Sequence, residues 1–275
     1  MASGPLRGFR IPAWITAGLH DPVAEDGRIT AAMTVGPHLR RSDGALNPAV
    51  LAAVADGCLG LAVMSGAGFD TGMVTTHLHL EFPRRLPREL VTAHCTAAPR
   101  TVDQTFGLGE ATIADTAGLI LAYATLGGVL VPRPEHTTLY DSALDVKAGA
   151  AHLDELLRIR IEASTPEGVC GSFRADTALA NLYRNLHGGL GTLIGVRFLD
   201  AALENAAGSG YRLADVRAVF TRSIPAHGND ISGRATILHR GRTLAVGRAE
   251  LLSPDGRVAL SLDATYVATN SEPER

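Results

Sequence analysis

The stretch Asn181-Leu-Tyr-Arg-Asn185-Leu-His187-Gly188-Gly189-Leu-Gly191-Thr192-Leu-Ile-Gly195 decides how the rest of the chain is interpreted. It predicts a loop that enters a buried helix through a His-Gly-Gly turn, with the helix running to about residue 206. Two adjacent glycines at a helix start leave the first backbone N–H groups uncovered by side chains. A ligand carbonyl or phosphate can approach those groups closely, and the positive end of the helix dipole favours it. The stretch therefore predicts half of a ligand site.

Length and composition limit what surrounds this turn. The chain has 275 residues, 46 % of them hydrophobic, and a formal charge of −3, which gives no basic footprint for nucleic acid. Cys58, Cys95 and Cys170 are scattered, which argues for a reducing compartment and against a disulfide frame or a zinc site. The N-terminus lacks a signal-peptide layout, and no uninterrupted apolar run approaches the ~18 residues of a membrane span. We expect a cytoplasmic protein without membrane or nucleic-acid partners.

A second buried helix is predicted from Leu46 to about Met64. Its apolar residues recur at helical spacing, Asn47 is a plausible N-cap and Pro48 occupies the first position. Asp56 is the one ionisable side chain after its start. A strand follows at 74–82, and further strands fit 90–98, 105–113 and 119–126.

The second half repeats this layout. An amphipathic helix is predicted at 148–162 and a strand at 169–177, ahead of the His-Gly-Gly turn and its helix. Strands at 211–222, 235–239, 243–252 and 258–267 complete the half. Phe82 before Pro83-Arg-Arg-Leu-Pro matches Phe220 before Thr-Arg-Ser-Ile-Pro, an offset of 220 − 82 = 138 residues. The repeat predicts units at 1–135 and 136–275; two unrelated α+β pieces are the alternative.

The turn and its surroundings resemble the hotdog-fold acyl-CoA thioesterases of the phenylacetate-pathway type. In that family a His-Gly-Gly turn begins the central helix, with an Asn six residues before the His. An acidic residue lies nine residues after the His, and a Ser or Thr on the next strand assists. Sites form between two hotdog units, with the amide from one unit and the acid from the other. The resemblance implies an α+β double hotdog, two antiparallel sheets each wrapped around a long buried central helix.

The motif divides unequally between the halves. Asn181 and His187 match the spacing, but the acid position, 187 + 9, is Val196. Asp56 takes the acid position of the first half, and the turn there would begin at Asn47 instead of a His. The first half also keeps the hydroxyl, Thr75, where the second has about Leu213. One complete composite site is therefore predicted, with the acid from one half and the amide turn from the other.

The resemblance implies a role for each matching residue. Gly188 N–H would stabilise the thioester oxyanion, Asp56 would attack the carbonyl or activate water, and Thr75 would orient the water or the carboxylate. Asn181 would fix the turn or the water, and His187 would brace the turn. We expect the substrate to be an acyl-CoA or acyl-carrier thioester, with coenzyme A only as part of the substrate and no metal or redox cofactor.

Substrate contacts are predicted from position. Gly189 lies beside the proposed amide donor, and Val196 is expected to help set the length of an acyl tunnel between the two helices, together with Val54, Cys58 and Leu199. Arg84 and Arg85 would meet the phosphates of coenzyme A, although a solvated charged turn is the commoner meaning of such a pair.

Other interpretations stay open at this point. Hotdog hydratases and dehydratases have an Asp five residues before the His, and Leu182 at 187 − 5 disfavours that reaction. A non-catalytic acyl-CoA-binding module would keep the fold without the chemistry, and the two glycines could serve only close packing. His77 and His79 lie on one strand face without an evident third metal ligand. Monomer and homodimer are both compatible with the sequence.

Overall fold

The computed structural model describes residues 4–6, 11–133, 150–207 and 210–269, which contain four α-helices and one 13-stranded antiparallel sheet. The helices are α1 (Pro12–Ala17), α2 (Leu51–Gly66), α3 (Leu153–Leu157) and α4 (Gly188–Ala207). The strands are β1 (Gly4–Pro5), β2 (Leu19–Glu25), β3 (Arg28–Thr34), β4 (Thr71–Glu81), β5 (Thr92–Val102), β6 (Phe106–Asp115), β7 (Ile120–Pro132), β8 (Arg160–Thr165), β9 (Gly168–Ala175), β10 (Tyr211–Phe220), β11 (Asn229–Arg240), β12 (Leu244–Leu252) and β13 (Val258–Ala268).

The two halves of the chain share this sheet. Its order is β1-β2-β3-β5-β6-β7-β4-β10-β13-β12-β11-β9-β8, so every strand of the first half lies on one side of the β4–β10 pair. The prediction of two separate sheets is wrong, because β4 and β10 pair antiparallel from Glu81↔Asp215 to His77↔Val219. This pairing joins what would otherwise be two open edges, whose unpaired N–H and C=O groups favour such a contact.

Each half of the sheet packs against its own long helix. Helix α2 contacts β3 to β7, α4 contacts β8, β9 and β10 to β13, and the two helices contact each other. All of α2 is buried except Gly60 and Gly66, as its all-round apolar sequence predicts. Pro48–Gly66 is long and apolar enough to cross a membrane, but 83 % of that segment is buried inside the protein, as in a core helix.

The repeat offset is visible in irregular features of the structure as well as in the strand order. Both central strands carry a β-bulge, at Thr76 in β4 and at Ala214 in β10, and 214 − 76 = 138. Isolated bridges Arg40↔Leu46 and Ala180↔Leu186 close the loops before the long helices, at an offset of 180 − 40 = 140. The alignment of the two halves therefore extends through both loops. The unit boundary predicted at 135/136 lies outside the described residues.

The region before β9 differs from the prediction. Instead of one helix over 148–162, α3 ends after Leu157, Arg158 takes a left-handed backbone (φ 49°), and the exposed edge strand β8 follows. The spacing of Leu153, Leu156 and Leu157 identified a real helical turn, but Arg160–Thr165 has no apolar side to bury. Residues 148 and 149 lie outside the described part. Helix α1 and strand β2 were not predicted.

Candidate active site

Asp56 receives hydrogen bonds from both halves of the chain. Its side chain lies on α2 and is 6 % exposed. Thr75 Oγ1 donates to Asp56 Oδ1 at 2.8 Å, and the backbone N–H of Gly189 donates to Asp56 Oδ2 at 2.8 Å. The second bond joins residues 133 positions apart and places the carboxylate at the positive end of α4. The structure thus brings the predicted acid, hydroxyl and His-Gly-Gly turn together.

The bulge in β4 determines which way Thr75 points. Thr75 pairs with Gly128 and His77 with Gly127, so Thr76 is the extra residue. An extra residue changes the alternation of side chains along a strand, and bulges often occur beside active sites. Thr75 consequently faces α2 and Asp56, while Thr76 Oγ1 donates to the carbonyl of Gly127 at 2.9 Å.

Replacing Thr75 with valine should lower turnover without unfolding the protein. Valine keeps the shape of the side chain but removes the hydroxyl that holds Asp56 Oδ1, so the carboxylate loses one of its two fixed donors. We expect kcat to fall about tenfold to a hundredfold, the range for losing a hydrogen bond to a charged group. Steady-state kinetics and thermal unfolding measure the two effects. A Thr76→Val variant with an equal loss would contradict a specific role for Thr75.

The two glycines of the turn meet different neighbours. A Cβ on Gly188 would lie 2.8 Å from Asp56 Oδ2, whereas a Cβ on Gly189 would lie 2.2 Å from the carbonyl oxygen of Ala52. Gly189 therefore permits close packing of α4 on the α2 backbone, and its N–H is already bonded to Asp56. The N–H of Gly188 makes no hydrogen bond within the described residues and lies beside the carboxylate. Gly188 is the better placed of the two to donate to a ligand.

Asn181 organises the loop before the turn. Its Oδ1 accepts hydrogen bonds from the backbone N–H groups of Tyr183 (2.9 Å) and Asn185 (3.1 Å). Of the two roles predicted for this side chain, the structure shows one, the bracing of the turn. The backbone of Leu186 then bonds to Ile224, and that of His187 to Leu179, which fixes where α4 begins.

The His187 side chain lies between Asp56 and Trp14. Trp14 Nε1 donates to His187 Nε2 at 3.0 Å, and His187 Nδ1 is 3.2 Å from Asp56 Oδ2. The second contact is too oblique for a hydrogen bond, so Nδ1 has no hydrogen-bond partner among the described residues. Burial lowers the pKa of His187, and the Asp56 carboxylate offsets this only in part. The imidazole is therefore neutral near pH 7.

A cavity of about 670 Å³ opens beside these groups. Asp56, Thr75, Asn181, His187 and Gly188 all line it. Most of its remaining wall is apolar and comes from α2, from the ends of β4 and β7, and from loops of the second half: Leu61, Met64, Met73, Val129, Val131, Leu182, Leu186, Phe220, Ile224 and Leu260. Its size and apolar lining suit a small-molecule ligand with an apolar part.

The predicted tunnel between the helices is wrong in its location. Val196 is completely buried in the core and does not line the cavity, and the same holds for Val54, Cys58 and Leu199. The helices pack directly on each other there, because Gly189 lets α4 approach the α2 backbone. The cavity instead follows the face of α2 that carries Gly57, Gly60, Leu61 and Met64.

The predicted arginines come from the wrong copy of the repeat. Arg84 and Arg85 are exposed and do not line the cavity. The repeat counterpart of Arg84 is Arg222 (84 + 138), and this exposed side chain does line the cavity, beside Thr221 and Ser223. The repeat offset itself was the signal that could have identified Arg222. Trp14 had no comparable signal, because its segment matches no motif.

The corresponding place in the other copy contains an ion network. Asn47 Nδ2 donates to Asp200 Oδ2 at 2.7 Å, and Tyr266 OH donates to Asp200 Oδ1 at 2.9 Å. Arg197 lies 3.2 Å from Asp200 and 2.8 Å from Asp154. Burial raises the pKa of Asp200, with partial compensation by Arg197 and Tyr266. Both oxygens of Asp200 are thus used in internal contacts.

A third acidic or histidine ligand does lie near His79. His79 Nε2 pairs with Asp215 across the β4–β10 junction, and Glu81 lies next to both, so the three could hold a metal ion. They lie on the outer face of the sheet, whereas Thr75 and Asp56 lie on the helix face. This cluster is separate from the cavity, and His77 is not part of it.

Comparison with known proteins identifies the fold. No protein-family profile and no curated protein sequence matches the chain. Among solved structures, the TesB protein of Mycobacterium avium subspecies paratuberculosis has a TM-score of 0.63 at 14 % identity, covering 93 % of this chain and 98 % of that one. An acyl-ACP thioesterase from Bacteroides thetaiotaomicron scores 0.57 at 13 % identity, covering 88 % and 98 %. The 12:0-ACP thioesterase from Umbellularia californica scores 0.57 at 10 % identity, covering 87 % and 94 %. The chain shares the hotdog-like α+β fold of these thioesterases.

Proposed function

We propose that the protein is a double-hotdog acyl thioesterase with one composite site between its halves. The observation that carries this proposal is the Asp56 carboxylate, held by Thr75 Oγ1 and Gly189 N–H beside the unbonded N–H of Gly188, on the wall of an apolar cavity. An acid, an amide donor and a place for an acyl chain are the parts that thioester hydrolysis needs. The thioesterases among the structures that share the fold support the same reaction.

The reaction breaks the carbonyl C–S bond and forms a C–O bond with oxygen from water. Asp56 either attacks the carbonyl carbon, giving an acyl-aspartyl anhydride that water then opens, or removes a proton from water as the water attacks. In both routes the carbonyl oxygen becomes an oxyanion that Gly188 N–H stabilises, and the thiolate leaves and takes up a proton. A free carboxylic acid and a thiol are the products.

The second copy supports the choice of a single site. Its acid position is Val196, its turn begins at Asn47, and Asp200 is held by Arg197, Tyr266 and Asn47. A carboxylate whose two oxygens are occupied in this way has no lone pair directed at a substrate. The proposed stoichiometry is therefore one active site per chain.

The test is thiol release from a panel of thioesters. Purified protein is mixed with short, medium, long and aromatic acyl-CoAs, and with acyl-carrier-protein thioesters, in the presence of a thiol-detecting dye. Release that requires Asp56 supports the proposal and shows which carrier is used. Binding of acyl-CoA without release from any member of the panel would instead favour an acyl-CoA-binding module, and water addition to an enoyl-CoA would favour a hydratase.

Arg222 should contribute to recognition of the phosphorylated carrier. It is an exposed cation on the cavity wall, so a phosphate of coenzyme A can reach it without burying the charge. We expect Arg222→Gln to raise KM for acyl-CoA about threefold to tenfold at low salt, with kcat unchanged and a smaller effect at high salt. KM for an acyl-N-acetylcysteamine thioester, which has no phosphate, should not change.

Arg84→Gln is the matched control for that prediction. Arg84 occupies the same repeat position but lies outside the cavity. An equal rise in KM in both variants would mean that the effect comes from net charge and not from a contact in the cavity.

A further inference from the structure

Trp14 connects helix α1 of the first half to the turn of the second half. Its indole N–H donates to His187 Nε2 at 3.0 Å, both side chains are buried, and both line the cavity. An indole N–H can only donate, so Nε2 of His187 must accept and cannot carry a proton. The neutral imidazole must therefore carry its proton on Nδ1.

The Nδ1–H group is the unbonded donor of the site. It is buried, it lies 3.2 Å from Asp56 Oδ2 at an angle that makes no hydrogen bond, and it has no other partner in the described residues. A buried donor without a partner is costly in a folded protein, and such groups are rare unless they serve a ligand. The N–H of Gly188 is unbonded in the same place. Two donors and one carboxylate therefore meet at the cavity wall.

The other copy of the repeat shows that Trp14 belongs to the site and not to the docking of the helix. Ala13 N–H bonds to the carbonyl of Ala180, and Leu153 N–H bonds to the carbonyl of Arg40, an offset of 140 on both sides. Both short helices thus dock through the same backbone bond. The counterpart of Trp14 is Asp154 (14 + 140), which pairs with Arg197 in the ion network. The docking is retained in both copies, while the side chain next to the turn differs.

We propose that Trp14 is a positioning residue that fixes His187 as its Nδ1–H tautomer, so that His187 presents a second hydrogen-bond donor to the reacting oxygen beside Gly188. This inference rests on the proposed thioesterase function for its kinetic consequence, but not for the tautomer itself. Without the indole N–H, the neutral ring can place its proton on Nε2, and Nδ1 then faces Asp56 as an acceptor without a proton to donate.

The first test is the tautomer of His187 in the wild-type protein, measured by ¹⁵N NMR of the ring nitrogens. We expect a protonated Nδ1 and an unprotonated Nε2 near pH 7, and a mixture of tautomers in Trp14→Phe. A wild-type ring protonated on Nε2 would overturn the assignment. This measurement needs no substrate, so it decides the role of Trp14 even if no thioester is hydrolysed, and failure of the thioester panel counts only against the proposed function.

The second test is kinetic, with Thr16→Val as the matched control. Thr16 lies on the same helix and loses a buried hydrogen bond to the carbonyl of Ala178 (2.8 Å), away from the cavity. We expect Trp14→Phe to lower kcat about tenfold with KM within about twofold of wild type, and Thr16→Val to leave both unchanged. An equal loss in both variants, or full activity in Trp14→Phe, would contradict a positioning role.

The pH profile separates positioning from packing. Donation by Trp14 to Nε2 opposes protonation of His187, so the pKa of His187 should rise when the indole is removed. Asp56 is the charged group that raises this pKa in the wild type, and it would pair with the imidazolium. The acid limb of kcat/KM should therefore move to higher pH in Trp14→Phe. Loss of packing alone would lower activity equally at all pH values, which would contradict the inference.

Discussion

Asp56→Asn should reduce thiol release by about 10²–10⁴-fold while the protein stays folded. Asparagine has the same shape and fits the same neighbours. Its Oδ1 can accept from Gly189 N–H, and its Nδ2 can donate to Thr75 Oγ1, because a hydroxyl can reverse from donor to acceptor. What is lost is the negative charge, and with it both the nucleophile and the general base. The measurement is kcat on the best acyl-CoA, together with the melting temperature.

This variant also separates catalysis from helix capping. Asp56 accepts from an N–H at the start of α4, so a purely structural interpretation treats it as a cap supplied by the other half. Asparagine caps helices as well as aspartate does. If Asp56 only capped α4, Asp56→Asn would keep its activity, and that result would refute the proposed chemistry.

The control is Asp200→Asn, the acid nearest the empty acid position of the second copy. Here the charge is paired with Arg197 and bonded to Tyr266, so its loss should lower stability by about 1–3 kcal/mol, or about 3–8 °C in melting temperature, with kcat unchanged. The two variants should thus show opposite patterns. A fall in kcat for Asp200→Asn alone would mean that the halves are assigned the wrong way round.

The positions of the main elements were predictable because each depended on local pattern. Two all-apolar helical runs, alternating strands and an offset near 138 residues predicted both halves. The spacing rules of the resemblance then named Asp56, Thr75 and Gly188, which the structure brings together. None of these inferences required knowledge of how the two halves are oriented.

The errors concern contacts that depend on that orientation. Val196 was expected in a tunnel because it lies on a helix facing another helix, but the glycine that allows the helices to touch also excludes any space between them. Arg84 was chosen over Arg222 because sequence cannot show which copy of a repeated turn reaches the cavity. Trp14 was missed because its contact with His187 spans 173 residues and follows no periodic pattern.

Gly188→Ala and Gly189→Ala should fail in different ways, although the residues are adjacent. A glycine-to-alanine change in a helix normally adds up to about 1 kcal/mol of stability. At Gly188 the new Cβ would lie 2.8 Å from Asp56 Oδ2, so the carboxylate must shift from the reacting position, and the approach to the Gly188 N–H is obstructed. We expect a folded protein whose kcat is about 10²–10³-fold lower, as for the loss of an oxyanion donor.

At Gly189 the new Cβ would lie 2.2 Å from the carbonyl oxygen of Ala52 and 2.7 Å from the Cα of Ala53, both backbone atoms of α2. Neither can rotate away, so the two long helices must separate, and we expect a loss of several kcal/mol that shows as a lower melting temperature or as insoluble protein. Gly191→Ala is the control, because its Cβ would meet only the mobile side-chain ends of Leu260 and Leu186 at 3.1 and 3.3 Å. A Gly188→Ala protein with wild-type kcat would show that the amide of residue 188 does not contact the reacting oxygen. One that unfolds as Gly189→Ala does would show that both glycines serve packing, and the oxyanion donor would then have to be sought elsewhere in the cavity.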